Sequence, residues 1–158
     1  MKKPYSLTLF FIGVLTMISS CVRQEPKLFR LLSPKDTGIE FANTLVENDS
    51  VNVFNFMNIY TGAGVAVGDI NNDGLTDVYF SGNMVSGRLF LNKGDLKFED
   101  ISQNAGILNS SWGTGVTMVD INQDGWLDIY VCVSGGDKIS NRANLLYINN
   151  GDLTFDEK

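Results

Sequence analysis

The sequence predicts an all-β protein assembled from copies of a four-stranded antiparallel unit, and three observations carry that prediction. The phrase DINNDGLTD, from Asp69 to Asp77, returns fifty-one residues later as DINQDGWLD, from Asp120 to Asp128. A longer stretch repeats around it: GAGVAVGDINNDGLTDVYFSG from Gly62 matches GTGVTMVDINQDGWLDIYVCVSG from Gly113, and RLFLNKGDLKFED from Arg88 matches NLLYINNGDLTFDEK from Asn144. Glycine is abundant at 16 residues and proline scarce at 3, a balance that suits short strands joined by tight turns. Periods of this size belong to propellers, solenoids and arrays, and four antiparallel strands per unit make one β-propeller blade.

Taken in order, residues 1–20 read as an export leader. Lys2 and Lys3 make its basic start, and the apolar stretch from Leu7 to Ile18 is a signal h-region, too short for the roughly 20 residues a membrane-spanning helix needs. It ends in Ile18-Ser19-Ser20-Cys21, which resembles a bacterial lipobox, so Cys21 is the expected lipidation site. Residues 21–35 then form a tether. Residues 36–61 hold TGIEFANTL and VNVFNFMNIY, two further expected strands at the edge of another blade.

The first repeat occupies 62–111. Val65 and Val67 alternate with Ala66 and Gly68, as expected of a strand with one face against a crowded centre; Val78–Gly82, Leu89–Asn92 and Leu96–Ile101 follow as strands. The second repeat, 112–158, follows the same plan. Lys93-Gly94 and Asn150-Gly151 are the expected hairpin turns. With Cys21 committed to lipid, Cys132 has no disulfide partner and is expected in the core.

The two acidic phrases share Asp, Asn, Asp, Gly and Asp at loop positions 1, 3, 5, 6 and 9. Oxygen donors on alternate residues can curl toward one hard cation, and calcium wants six to eight of them. Asp69, Asn71, Asp73 and Asp77 would offer side-chain oxygens and Leu75 its carbonyl; the second copy offers Asp120, Asn122, Asp124, Asp128 and the carbonyl of Trp126. A single copy could equally be a solvated turn, since Asn-Asp-Gly is a turn formula. Two copies in one register favour metal, and magnesium's rigid octahedron suits such loops less well. The expectation is two calcium sites. Position 12 is Phe80 in one copy and Val131 in the other, where an EF-hand places a bidentate Glu, and the flanks are strands, so no helix-opening switch is expected.

Other chemistry is constrained by what is missing. The chain has no His, a formal net charge of -6 and a pI near 4.5, which exclude His-dependent triads and His-ligated zinc and argue against a nucleic-acid partner. Glu40, Glu47, Asp49, Glu99 and Asp100 form no recognisable acid/base pair. Trp112 and Trp126 are expected to pack between blades rather than to stack on sugars. The sequons at Asn48 and Asn109 are taken as chance matches.

The phrases VAVGDINNDGLTDVYF and VTMVDINQDGWLDIYV resemble FG-GAP repeats of the VCBS type, the blades of integrin-alpha-like β-propellers. LFRLLSPKDTGIEFANTL and NKGDLKFEDISQNAGI are further similar to Bacteroidetes lipoproteins related to cartilage acidic protein. The resemblance implies calcium in the loop between the first two strands of each blade and a ring of usually seven blades, of which about two are present, so the chain is expected to be a fragment. It also implies a lipid-anchored, non-enzymatic binding or adhesion module of the bacterial envelope, on the outer membrane, with an extracellular protein or glycan as ligand. The alternative is a fragment of a polysaccharide lyase or hydrolase.

Overall fold

The computed structural model describes residues 27–134 and 143–158; the expected leader, Cys21 and the start of the tether lie outside them. The described residues from Leu32 to Lys158 belong to one compact unit. Among the described residues no helix is long and apolar enough to cross a membrane.

Eight strands form two sheets. The first contains β1 (Val65–Gly68), β2 (Asp77–Phe80), β3 (Arg88–Asn92) and β4 (Phe98–Asp100); the second contains β5 (Gly113–Val119), β6 (Asp128–Val133), β7 (Leu145–Asn149) and β8 (Phe155–Glu157). Every neighbouring pair is antiparallel and sequential. Each sheet therefore has the order of a propeller blade.

The core lies between the two blades. Tyr79, Leu89 and Leu91 from the first meet Ile129, Val131, Leu145 and Tyr147 from the second, with Ile101, Ala105 and Ile107 of the connector joining the same cluster. The period-2 pleat explains the selection, because alternate residues of β2 and β6 point to one face. Glycine sets how closely β1 and β5 approach: a Cβ on Gly64 would lie 2.7 Å from the Val116 nitrogen and 2.9 Å from Gly115, and one on Gly68 would lie 2.9 Å from the Met118 sulfur.

The strands expected within 36–61 do not form. A one-turn helix, α1 (Pro34–Thr37), is capped by the Ser33 hydroxyl, which accepts from the Asp36 N–H, so order begins inside the expected tether. Beyond it, Asn48 and Asn52 capture local backbone: Asn48 Oδ1 accepts from the Ser50 and Val51 N–H groups, and Asn52 Oδ1 from those of Phe54 and Asn55. Such Asx turns compete with strand ladders for the same donors. The aromatics of this segment still reach the blades, with Phe41 stacked on Phe80 at 5.0 Å and Phe56 edge-on to Trp112 at 4.8 Å.

The stretch around α1 repeats the connector between the blades. Thr37-Gly38-Ile39 and Ala105-Gly106-Ile107 both place a left-handed glycine, φ 82 and φ 76, over the last strand of a sheet, Gly38 beside the Phe98 carbonyl and Gly106 beside that of Phe155.

Three smaller details follow, of which the last corrects an expectation. The hairpin turns are five-residue loops, closed by Lys93 N–H to the Lys97 carbonyl (2.7 Å) and Asn150 N–H to that of Thr154 (3.0 Å), and left-handed residues at Asp95, Leu96 and Leu153 accompany the glycines. Val65 and Val67 are the exposed residues of β1, at 55% and 62%, while Ala66 is buried, because it is the small side chains that meet the neighbouring blade. Cys132 is exposed rather than in the core, since Val131 and Val133 on either side of it point inward.

Candidate metal centres

Each acidic loop joins the first two strands of its blade, and the two copies build the same network. Asp69 Oδ1 accepts from the Asp73 N–H at 3.1 Å and its Oδ2 from that of Gly74 at 2.8 Å; Asp120 does the same with Asp124 at 3.1 Å and Gly125 at 2.9 Å. Asp73 Oδ1 accepts from the Leu75 N–H at 2.8 Å, and Asp124 Oδ1 from that of Trp126 at 2.9 Å. Asn71 bridges to Asp73 through its amide at 2.9 Å, as Asn122 does to Asp124 at 2.7 Å. Left-handed residues recur at Asn72 and Gly74 and at Gln123 and Gly125, which lets the chain curl back over the first Asp. The loops touch, as Asn72 donates its amide to the Gly125 carbonyl at 3.1 Å.

The ninth position behaves differently from the others. Asp77 and Asp128 are fully buried, and each uses both carboxylate oxygens on backbone donors. Asp77 accepts from Ile70 N–H at 3.0 Å and Asn92 N–H at 2.7 Å; Asp128 accepts from Ile121 at 3.0 Å and Asn149 at 2.9 Å. Burial pushes the Asp77 carboxyl above its ordinary pKa, the two backbone N–H groups pull it down, and the Asp73 and Asp69 charges push it up again. The Asp73 and Asp69 charges thus act on the buried Asp77.

Asn92 and Asn149 belong to the site and were missed from sequence. Each is buried. Each donates its amide to the acidic loop, Asn92 to the Thr76 carbonyl at 2.9 Å and Asn149 to that of Leu127 at 3.1 Å, while its side-chain oxygen accepts from Gly94 or Gly151 in the outer hairpin. Asn149 also reaches across blades to the Ile70 carbonyl at 2.8 Å. The signal was present, because the asparagine recurs before each KG or NG turn.

As they stand, the carboxylates face backbone N–H groups, and among the described residues no three His, Cys, Asp or Glu side chains converge on one point. The donor set still fits a hard cation in kind. It is all oxygen, and a carboxylate oxygen that accepts one N–H keeps a second lone pair. Asp69, Asn71, Asp73, Asp77 and the Leu75 carbonyl, with Asp120, Asn122, Asp124, Asp128 and the Trp126 carbonyl, are the groups that would hold it. Ligation would give the mutually repelling charges a counter-charge.

The remaining candidates are occupied elsewhere. Trp112 is buried against Phe56, and the Trp126 ring lies over Gly151 of its own blade, with ring atoms 3.0 to 3.2 Å from where a Cβ would stand. Glu47 accepts from the Tyr60 hydroxyl, Glu99 lies 3.9 Å from Lys93, and Asp100 lies 3.6 Å from Arg88.

Residues 69–131, from the first aspartate of one loop past the last of the other, match the family model described as FG-GAP-like repeat. This stretch is similar to FG-GAP-like repeats. Cartilage acidic protein 1 of Xenopus tropicalis is 37% identical to this chain over 101 residues, which cover 63% of the chain and 15% of that protein. The chain thus corresponds to a small part of that relative's length. The matched stretch and the two four-stranded sheets fit propeller-like repeat blades.

Proposed function

We propose that the chain is a non-enzymatic binding or adhesion module whose FG-GAP-like blades are stabilised by calcium, and which is held at the bacterial envelope, on the outer membrane, by lipid on Cys21. The observation that supports calcium most directly is the duplicate network: two loops of all-oxygen donors share the same partners, with three carboxylates each. An empty loop of that kind repels itself, and a divalent ion relieves the repulsion. The first and second blades each hold one ion. The Cys21 anchor rests on the leader and on the small residues ahead of the cysteine. The ligand is a protein or glycan outside the cell.

Calorimetric titration of the chelator-stripped full chain tests the metal reading. The expected result is saturation at two calcium ions, with thermal stabilisation of about 2.7 kcal/mol per site at free calcium 100 times the dissociation constant. An absence of binding heat, together with a melting temperature indifferent to chelator, returns the loops to ordinary acidic turns. Labelling with a palmitate analogue tests the anchor: wild type should be tagged and Cys21→Ser should not, and equal labelling of both removes the proposal.

A further inference from the structure

The outer hairpin of the second blade contains the chain's single Asn-Gly bond, Asn150-Gly151. Such a bond is chemically fragile, because glycine has no side chain to keep its nitrogen away from the preceding carboxamide. The deprotonated Gly151 nitrogen attacks Asn150 Cγ, ammonia leaves, and a five-membered succinimide remains, which water then opens. Cleavage of the nitrogen–Cγ bond leaves aspartate; cleavage of the nitrogen's bond to the Asn150 α-carbonyl leaves isoaspartate, with the main chain rerouted through Cβ and Cγ. Nothing is oxidised or reduced.

The fold requires this glycine and also restrains it. Gly151 sits at φ 76, a conformation that favours glycine, and the Trp126 ring covers it at 3.0 to 3.2 Å from where a Cβ would stand. Its N–H donates to Asn149 Oδ1 at 2.9 Å, so the proton that must leave before attack is engaged. Asn149 is buried and fixed to the acidic loop in turn, by its N–H on Asp128 at 2.9 Å and its amide on the Leu127 carbonyl at 3.1 Å. Asn150 is exposed, yet its amide donates to Thr154 Oγ1 at 3.0 Å and Asp156 Oδ1 at 3.4 Å. The first blade supplies the comparison. Its hairpin has the same frame, with the Gly94 N–H on Asn92 Oδ1 at 3.0 Å, but Lys93 stands where Asn150 does, 3.9 Å from Glu99 as Asn150 faces Asp156. Lysine offers no carboxamide to attack.

We propose that Asn150 is a site of deamidation and isoaspartate formation whose rate is set by the second acidic loop. While Trp126 and Asn149 hold Gly151 the bond is protected, and local opening of the loop frees the nitrogen to close the ring. Loss of ammonia makes the step irreversible. The product places a carboxylate beside Asp156 where an amide donor stood.

Peptide mapping by mass spectrometry follows the amide-to-acid mass gain and the isoaspartate at position 150, in the full chain incubated at neutral pH. The folded wild type should react about tenfold more slowly than the same chain in urea, the factor that one N–H hydrogen bond supplies. Trp126→Ala, which uncovers Gly151 without altering the backbone, should react several-fold faster than wild type while its circular dichroism stays that of the folded protein. Asn150→Lys, which copies the first hairpin, should give no signal. Equal rates in folded and urea-unfolded wild type, or a wild-type rate in folded Trp126→Ala, overturn the proposal. Amide exchange in the wild type needs no variant and keeps the test open if Trp126→Ala does not fold: the Gly151 N–H should be protected, and free exchange at that position overturns the proposal as well.

Discussion

The buried aspartates carry more of the fold than their place in a ligand pattern suggests. Asp128 holds the Ile121 and Asn149 N–H groups, and Asp128→Ala strands both donors in the interior, where an unsatisfied polar group costs about 1–3 kcal/mol. Urea unfolding in calcium-free buffer should show a loss of about 2–4 kcal/mol; a loss below about 1 would mean that water replaces the carboxylate. Asp124, exposed on the same loop, should behave in the opposite way. Asp124→Ala should cost little without calcium and remove one of two binding equivalents in the calorimeter, as should Asp73→Ala in the other loop. Two tyrosines give the residue scale a pH signature. The Tyr79 and Tyr147 hydroxyls are buried without a hydrogen-bond partner; burial first, then the Glu157 charge, pushes Tyr147 up to about 12, and burial raises Tyr79 as well. Both stay neutral in the folded protein while the unfolded chain ionises near pH 10, so stability falls as pH rises from about 10 to about 12. Melting temperatures across that window should fall less steeply in the Tyr79→Phe/Tyr147→Phe double variant. An unchanged slope would place the alkaline loss elsewhere.

At the scale of elements, the contact between β1 and β5 depends on the absence of side chains. Gly64→Ala puts a methyl within 2.7 Å of backbone that cannot rotate away, and overpacking of this kind costs about 1–3 kcal/mol. Gly115→Ala meets only Cys132 at 3.8 Å and should be tolerated within one chain. Chemical denaturation of the pair, compared at a concentration where the chain is monomeric, separates the two; equal losses would show that backbone freedom, rather than spacing, sets the cost. The local motifs also explain which expectations failed. The 36–61 segment has the aromatic and β-branched content of strands, but its asparagines at 48 and 52 close turns first. A hydrogen bond two residues away forms before any ladder whose partner strand must come from elsewhere in the chain.

In the whole molecule, the two blades share one core rather than owning one each. Ile129 is fully buried in a cluster that draws on both sheets and on the connector. Ile129→Ala should therefore cost about 2–5 kcal/mol and, in native-state hydrogen exchange, lower the protection of β2 and β3 as much as that of β6 and β7. A loss confined to the second blade would show that the sheets open independently.

How much of this was legible beforehand follows from the range of each interaction. The acidic loops, the strands that flank them and the order of four strands per unit could be read directly, because Asp69, Asn71, Asp73, Gly74 and Asp77 and their copies act within nine residues and the pleat acts within two. The sequence by itself thus determined the blade and the spacing of its oxygen donors. The tertiary structure alone decided which face of β1 is buried, since Val65 and Val67 are the more apolar choice and only the nearness of β5 favours Ala66 and Gly68. It also put Cys132 outside and made Asn149 a link from the outer hairpin to the Ile70 carbonyl of the other blade. Those outcomes depend on groups far apart in the chain meeting in space, and no local pattern records which partner a residue will meet.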